Sequence, residues 1–235
     1  FIFENVKGLL SCDKGDIFKK ILKEMEKINY DIEYKLINAK DVGIPQSRTR
    51  IFIIGKKKTK KISNIFDNFK TIKLDTTIND YLDKKYEEKY IIKNHKWQKW
   101  IFGQKNLDKR KMNINGHIIV CQTARQYGSW FGNFIIEIKN IPDFSYSSLA
   151  IESIKNNKFK PLNYNKDTYD LDYIINNSII RRLTPKECLR LMGYDTNIFS
   201  TVVSDSQTYK QCGNSIVINM FTHILKVINL KEIIS

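Results

Sequence analysis

Two sets of residues in this chain have the types and spacing to do chemistry. The first is a single carboxylate. In FIFENVKGLL, residues 1 to 10, Glu4 closes an apolar run and is followed by Asn5. A carboxyl group at the end of a strand that reads as buried can move a proton or stabilise charge developing beside it. The second set is Gln46, Arg48 and Arg50 in GIPQSRTRIFIIG. Alternate residues of an extended segment point the same way, so both guanidinium groups can reach one ligand. Each set has a plainer reading: a strand-end carboxylate in solvent, and arginines paired with core carboxylates. Cys12, Cys121, Cys188 and Cys212 are scattered, with no CxxC pair and no histidine at ligand spacing. Neither a metal site nor a disulfide framework is expected from them.

These residues need a scaffold, and the chain divides into three regions. In residues 1–55, the segment DIFKKILKEMEKI places Ile17, Ile21, Leu22, Met25 and Ile28 on one helical stripe. Tyr30, Ile32, Tyr34 and Leu36 then alternate with charged residues as a half-exposed strand does, and RIFIIG makes a short apolar strand. Strand, helix, strand, loop, strand is the pattern of a layered α/β unit. Residues 56–178 open with KKKTKK and continue polar, rich in Asn and Lys. Their clearest feature is GHIIVCQTARQYGSWFGNFIIEI, two β-prone runs joined by a polar, glycine-bearing stretch. An inserted small domain is expected there.

In residues 179–235 the helix signals are sharper. In RRLTPKECLRLMGY, Thr184 suits an N-cap, Pro185 the first helical position, Glu187 a capping box and Gly193 the stop. Cys188, Leu189 and Met192 would face a core. QCGNSIVINMFTHILKVI reads as a glycine turn, a cap at Asn214 or Ser215, and a helix with Ile216, Val217, Met220, Phe221, Ile224 and Leu225 on its apolar face. That face calls for a partner layer, for which the first α/β unit is the candidate.

The 235 residues carry 40 Lys and Arg against 25 Asp and Glu, a formal charge of +15. A surface of that sign favours a polyanion, nucleic acid first, through counterion release, although a lysine-rich composition can also serve solubility alone. No run approaches the roughly 18 to 20 apolar residues of a membrane span, and nothing reads as a signal peptide. A soluble, cytoplasmic protein is expected.

Four stretches, in order, resemble the C5-cytosine DNA methyltransferase family: FENVKGLL, GIPQSRTRIFIIG, RRLTPKECLRLMGY and YKQCGNSIVINM. Any one alone is a weak pattern; the ordered set, with its Gln-x-Arg-x-Arg triplet and closing Gly-Asn-Ser, is specific. The resemblance implies the C-terminal portion of a Rossmann-like α/β domain that uses S-adenosylmethionine, with a small target-recognition domain inserted. It divides the chain into catalytic residues 1–55, recognition residues 56–178 and closing catalytic helices 179–235. Bacterial double-stranded DNA is the implied partner, within a restriction-modification system.

Such enzymes add a cysteine thiolate to C6 of a cytosine flipped from the duplex, which pushes electron density onto N3. By resemblance Glu4 stabilises that charge, Arg50 donates to O2, Arg48 supports the base and Gln46 is structural. Asn214 and Ser215 match the motif beside the cofactor, where a helix start suits its carboxylate; a simple cap is compatible with this. QTARQYGSW resembles the family's recognition loops, so Thr123, Arg125 and Gln126 could reach base edges, while Tyr127 and Trp130 could stack or pack. The family's glycine-rich cofactor loop and Pro-Cys nucleophile are not among these residues. The chain is therefore expected to be part of a longer enzyme, a subunit whose second chain supplies the cysteine, or an inactive remnant. Transfer RNA is the alternative substrate, and a basic nucleic-acid-binding module the non-enzymatic alternative.

Overall fold

A computed structural model describes residues 1–58, 65–102, 113–114, 117–126, 132–138, 175–176 and 178–228. The chain forms two compact units, Phe1–Asp75 with Ile216–Ser235, and Thr76–Ser215.

The first unit is built on β1 (Ile2–Val6), α1 (Asp16–Lys27), β2 (Tyr30–Asn38), the short β3 (Gln46–Ser47) and β4 (Thr49–Lys57). Its sheet has the order β1-β4-β2, and β4 runs antiparallel to both neighbours. β1 and β2 are thus parallel to each other, joined by α1, and β4 returns through the gap between them. Ile51, Phe52, Ile53 and Ile54 are all buried, so both faces of β4 are covered, which is why it reads as an unbroken apolar run. Each such side chain contributes about 1.5–3 kcal/mol through burial.

Helix α1 covers one face through Phe18, which forms a buried cluster with Ile51 and Ile53 against which Leu9, Leu10, Leu22 and Ile32 pack. The Phe18 ring meets Tyr34 edge-on at 4.9 Å. The stripe is thereby rotated from the sequence expectation: Ile17 and Ile28 are exposed, because the large ring of Phe18 takes the contact with β2 and β4. The Ile218–Ile228 helix belongs to this unit and buries Met220, Ile224 and Ile228, one residue per turn. His223 meets Phe69 edge-on, whereas Phe221 is exposed, so the covered face is narrower than its sequence suggests.

In the second unit β7 (Asn133–Ile138) lies between β5 (Asn113–Ile114), parallel to it, and β8 (Ser178–Arg182), antiparallel. The strand β6 (Ile119–Val120) is tied to β7 by one side chain. Asn133 accepts from the Val120 N–H at 2.9 Å and donates to its carbonyl at 3.2 Å, as a strand partner would. The Pro185–Arg190 helix has the expected capping box: Thr184 Oγ1 accepts from Glu187 N at 3.1 Å, and Glu187 Oε2 accepts from Thr184 N at 2.7 Å. Gly193, at φ 86°, makes the turn beyond the helix end.

The structure departs from the expected glycine turn at 213. Gly213 is not a turn residue, since a helix runs through it from Asp205 to Asn214 and stops at Ser215. Ser204 caps that helix with an oxygen accepting from Gln207 N. A capped helix continues through a glycine, at a cost relative to alanine, when a tertiary contact requires the glycine there.

Candidate active site

Pairing between β1 and β4 places Glu4 opposite Phe52 and Val6 opposite Arg50. Arg50 is therefore the diagonal neighbour of Glu4 on the same face of the sheet. Arg50 Nε lies 2.9 Å from Glu4 Oε1, and the two side chains are 13% and 18% exposed. Arg50 Nη1 also donates to its neighbour's carbonyl, that of Thr49, at 2.9 Å, which steadies the fork. Glu4 Oε1 is buried and accepts no well-aligned hydrogen bond, so the contact with Arg50 is an ion pair whose acceptor keeps unused capacity. Asn5 Oδ1 accepts from Val6 N at 2.8 Å and fixes the strand end next to Glu4.

Arg48 is in a different environment. It precedes β4, at a junction where its N–H donates to Asn38 Oδ1 at 3.2 Å and its carbonyl accepts from Ala39 N at 2.9 Å. Its side chain is buried, as is that of Gln46. Within this unit the structure brings Glu4 and Arg50 together and puts Arg48 and Gln46 in the core.

The second unit carries the other sequence-derived candidates. Thr123 and Arg125 are exposed on a turn over residues 123–126, closed by Gln126 N donating to Thr123 O at 3.2 Å. Gln122, which the sequence reading passed over, is buried and donates to the Cys188 carbonyl at 3.1 Å, clamping the turn to the Pro185–Arg190 helix. Its one signal was a polar residue ending the apolar run IIVCQ. Tyr127 and Trp130 lie outside the described residues. Asn214 is exposed at the end of its helix, and Ser215 Oγ shares a 3.0 Å hydrogen bond with the Tyr194 hydroxyl. The pair stands at a helix C-terminus and not at the expected start, so helix-start N–H groups for an anion are not what it offers; an amide and a hydroxyl are. Burial, then the neighbouring Cys212 and Glu187, push the Cys188 thiol far up, so it is held protonated. Among the described residues no helix is long and apolar enough to cross a membrane, and no three His, Cys, Asp or Glu side chains are grouped to hold a metal ion.

A reversed strand set between two parallel ones joined by a helix is a part of the α/β methyltransferase fold, and solved structures share it. The chain matches the S. pombe Dnmt2 methyltransferase with a TM-score of 0.66 at 16% identity, over 98% of this chain and 65% of that one. The Entamoeba histolytica methyltransferase EhMeth matches with a TM-score of 0.61 at 21% identity, over 98% and 62%. At such identities the likeness is one of fold. Residues 1–230 match the model of the C-5 cytosine-specific DNA methylase family, and the chain belongs to that family. Among curated relatives, the type II methyltransferase M.DsaV of Dactylococcopsis salina is 33% identical over 98% of this chain and 58% of its own length. The type II methyltransferase M.SsoII of Shigella sonnei is 31% identical over 97% and 52%. The chain thus spans somewhat more than half the length of these relatives.

Proposed function

We propose that this chain is the C-terminal part of a DNA (cytosine-5-)-methyltransferase of a restriction-modification system, in which Glu4 and Arg50 hold the edge of an extruded cytosine. The observation that carries this reading is their 2.9 Å contact on one sheet face. N3 and O2 are adjacent on the pyrimidine, so a carboxyl and a guanidinium already side by side match that edge. As a nucleophile adds at C6, Glu4 stabilises charge at N3 and the 4-amino group while Arg50 donates to O2. Arg48 supports the strand from the core. The 235 residues contain no Pro-Cys pair, so the thiolate is assigned to polypeptide outside them, in the same enzyme or a second chain.

Residues 56–178 act as the target-recognition part, with Thr123 and Arg125 facing duplex DNA and the +15 charge supplying phosphate attraction. Asn214 and Ser215 would hold S-adenosylmethionine; an amide and a hydroxyl, each able to donate and accept, fit the polar groups of that cofactor. When bound it supplies an electrophilic methyl group.

The test is methyl transfer from labelled S-adenosylmethionine to duplex DNA and to transfer RNA. The chain is assayed alone and complemented with the Pro-Cys-bearing N-terminal half of a relative. Transfer to DNA by the complemented protein is expected. Transfer to RNA alone would replace the DNA reading, and transfer by the isolated chain would overturn the external thiolate.

A further inference from the structure

A glycine inside a helix is unfavourable relative to alanine, so Gly213 needs a tertiary reason. The structure supplies one. A Cβ built on Gly213 would lie 2.1 Å from Ala124 N, 2.2 Å from Thr123 C and 2.6 Å from Ala124 Cα. All three are backbone atoms, which cannot rotate away, so the peptide between Thr123 and Ala124 rests directly on the helix at Gly213. The helix itself is firmly seated: Tyr209, one turn earlier, is buried and donates its hydroxyl proton to the Leu183 carbonyl, and Cys212 is buried. A side chain at 213 would therefore displace the turn and not the helix. Gln122 holds the same turn laterally through Cys188 O, and Gln126 Nε2 donates to Gln122 Oε1 at 3.2 Å.

We infer that Gly213 is a positioning residue for target recognition: it sets the height at which the 123–126 turn presents Thr123 and Arg125. This rests on the reading of that turn as a DNA contact. It also gives the glycine of Gly-Asn-Ser a task separate from Asn214 and Ser215, through a contact spanning ninety positions of sequence.

The full chain is first used to select its preferred sequences from a pool of duplexes with a randomised core, and binding to the selected duplex and to an unselected one is then measured by fluorescence anisotropy at fixed salt. Arg125→Ala should weaken binding to the selected duplex by about tenfold or more, as loss of a base contact does. Gly213→Ala should weaken it comparably, leaving the unselected duplex and the far-ultraviolet circular dichroism unchanged. The double variant should be within about threefold of the weaker single, because a displaced turn has already lost its arginine contact. Wild-type binding by Gly213→Ala, or a double variant with multiplied losses, overturns the inference. No effect of Arg125→Ala instead sinks the underlying DNA reading. If Gly213→Ala fails to fold, Gln122→Ala releases the turn from its other side. Selective loss non-additive with Arg125→Ala then supports the positioning role, and wild-type binding by Gln122→Ala overturns it.

Discussion

Each unit holds a glutamate beside an arginine, and the two pairs differ in what is left over. In the second unit Arg181 and Glu187 are 1% and 0% exposed and meet through two bonds, at 2.9 and 3.0 Å. Glu187 also accepts from the N–H groups of Asp83 at 2.8 Å and Thr184 at 2.7 Å. Arg181 reaches Glu137 at 3.0 Å and the Arg182 carbonyl at 3.1 Å, and stacks 4.3 Å from the Tyr86 ring centre. In the first unit Arg50 Nε lies 2.9 Å from Glu4 Oε1, an oxygen that is buried and accepts no well-aligned hydrogen bond. The buried Arg181–Glu187 pair is saturated, as a pair that holds a fold together is; at the other pair it is the acceptor capacity of Glu4 Oε1 that the proposed contact with cytosine uses.

The largest effect expected from this contrast is on stability. Glu187→Ala leaves Arg181 charged and buried without its main partner, which should destabilise the protein by about 3–5 kcal/mol in urea unfolding. A change below about 1 kcal/mol would mean that the pair is not saturated in solution and would remove the contrast. Next comes Arg50: in the complemented enzyme Arg50→Ala should lower methyl transfer by about a hundredfold, a larger loss than its effect on the unfolding midpoint accounts for. Arg50→Lys keeps the charge without the fixed fork, so it should recover only part of that loss.

The smallest effect concerns the shell of the buried pair. Burial, then the hydrogen bond to Glu137, raise the Tyr86 hydroxyl to about 12. The folded state thus holds that proton more tightly than the unfolded chain does. Its contribution is whole below about pH 10 and is lost as pH rises through about 12. Tyr86→Phe should cost about 1 kcal/mol at neutral pH and flatten part of the decline in stability between those values, measured by thermal unfolding across pH. Tyr90, raised to about 12 by burial and its bond to Asp205, should retain the remainder of the slope.

What the sequence made legible was local. The capping box at Thr184 and Glu187 lies within four residues, Pro185 opens the helix and Gly193 makes the turn beyond its end, so residue types alone specify the helix. The apolar run at 51–54 likewise declares a short strand; that both its faces are covered is what the structure adds. The Glu4–Arg50 contact could be anticipated only through family resemblance, because strand order β1-β4-β2 is not written in either segment. The parity rule for alternate residues treated Arg48 and Arg50 alike, yet it holds only inside a continuous strand. Arg48 falls in the junction before β4, tied to Asn38, and turns into the core. Gly213 misled for the same reason: its partner, the peptide between Thr123 and Ala124, is distant in sequence, so a helix-internal contact glycine looked like a turn.

The most direct test exchanges the carboxylate of Glu4 for its neutral isostere and reads two quantities from one protein. In the complemented enzyme, Glu4→Gln should cut methyl transfer to duplex DNA by on the order of a hundredfold or more, with thermal unfolding unchanged. Near-full turnover in that variant, or a loss that merely follows unfolding, would contradict the assignment of Glu4 to the cytosine.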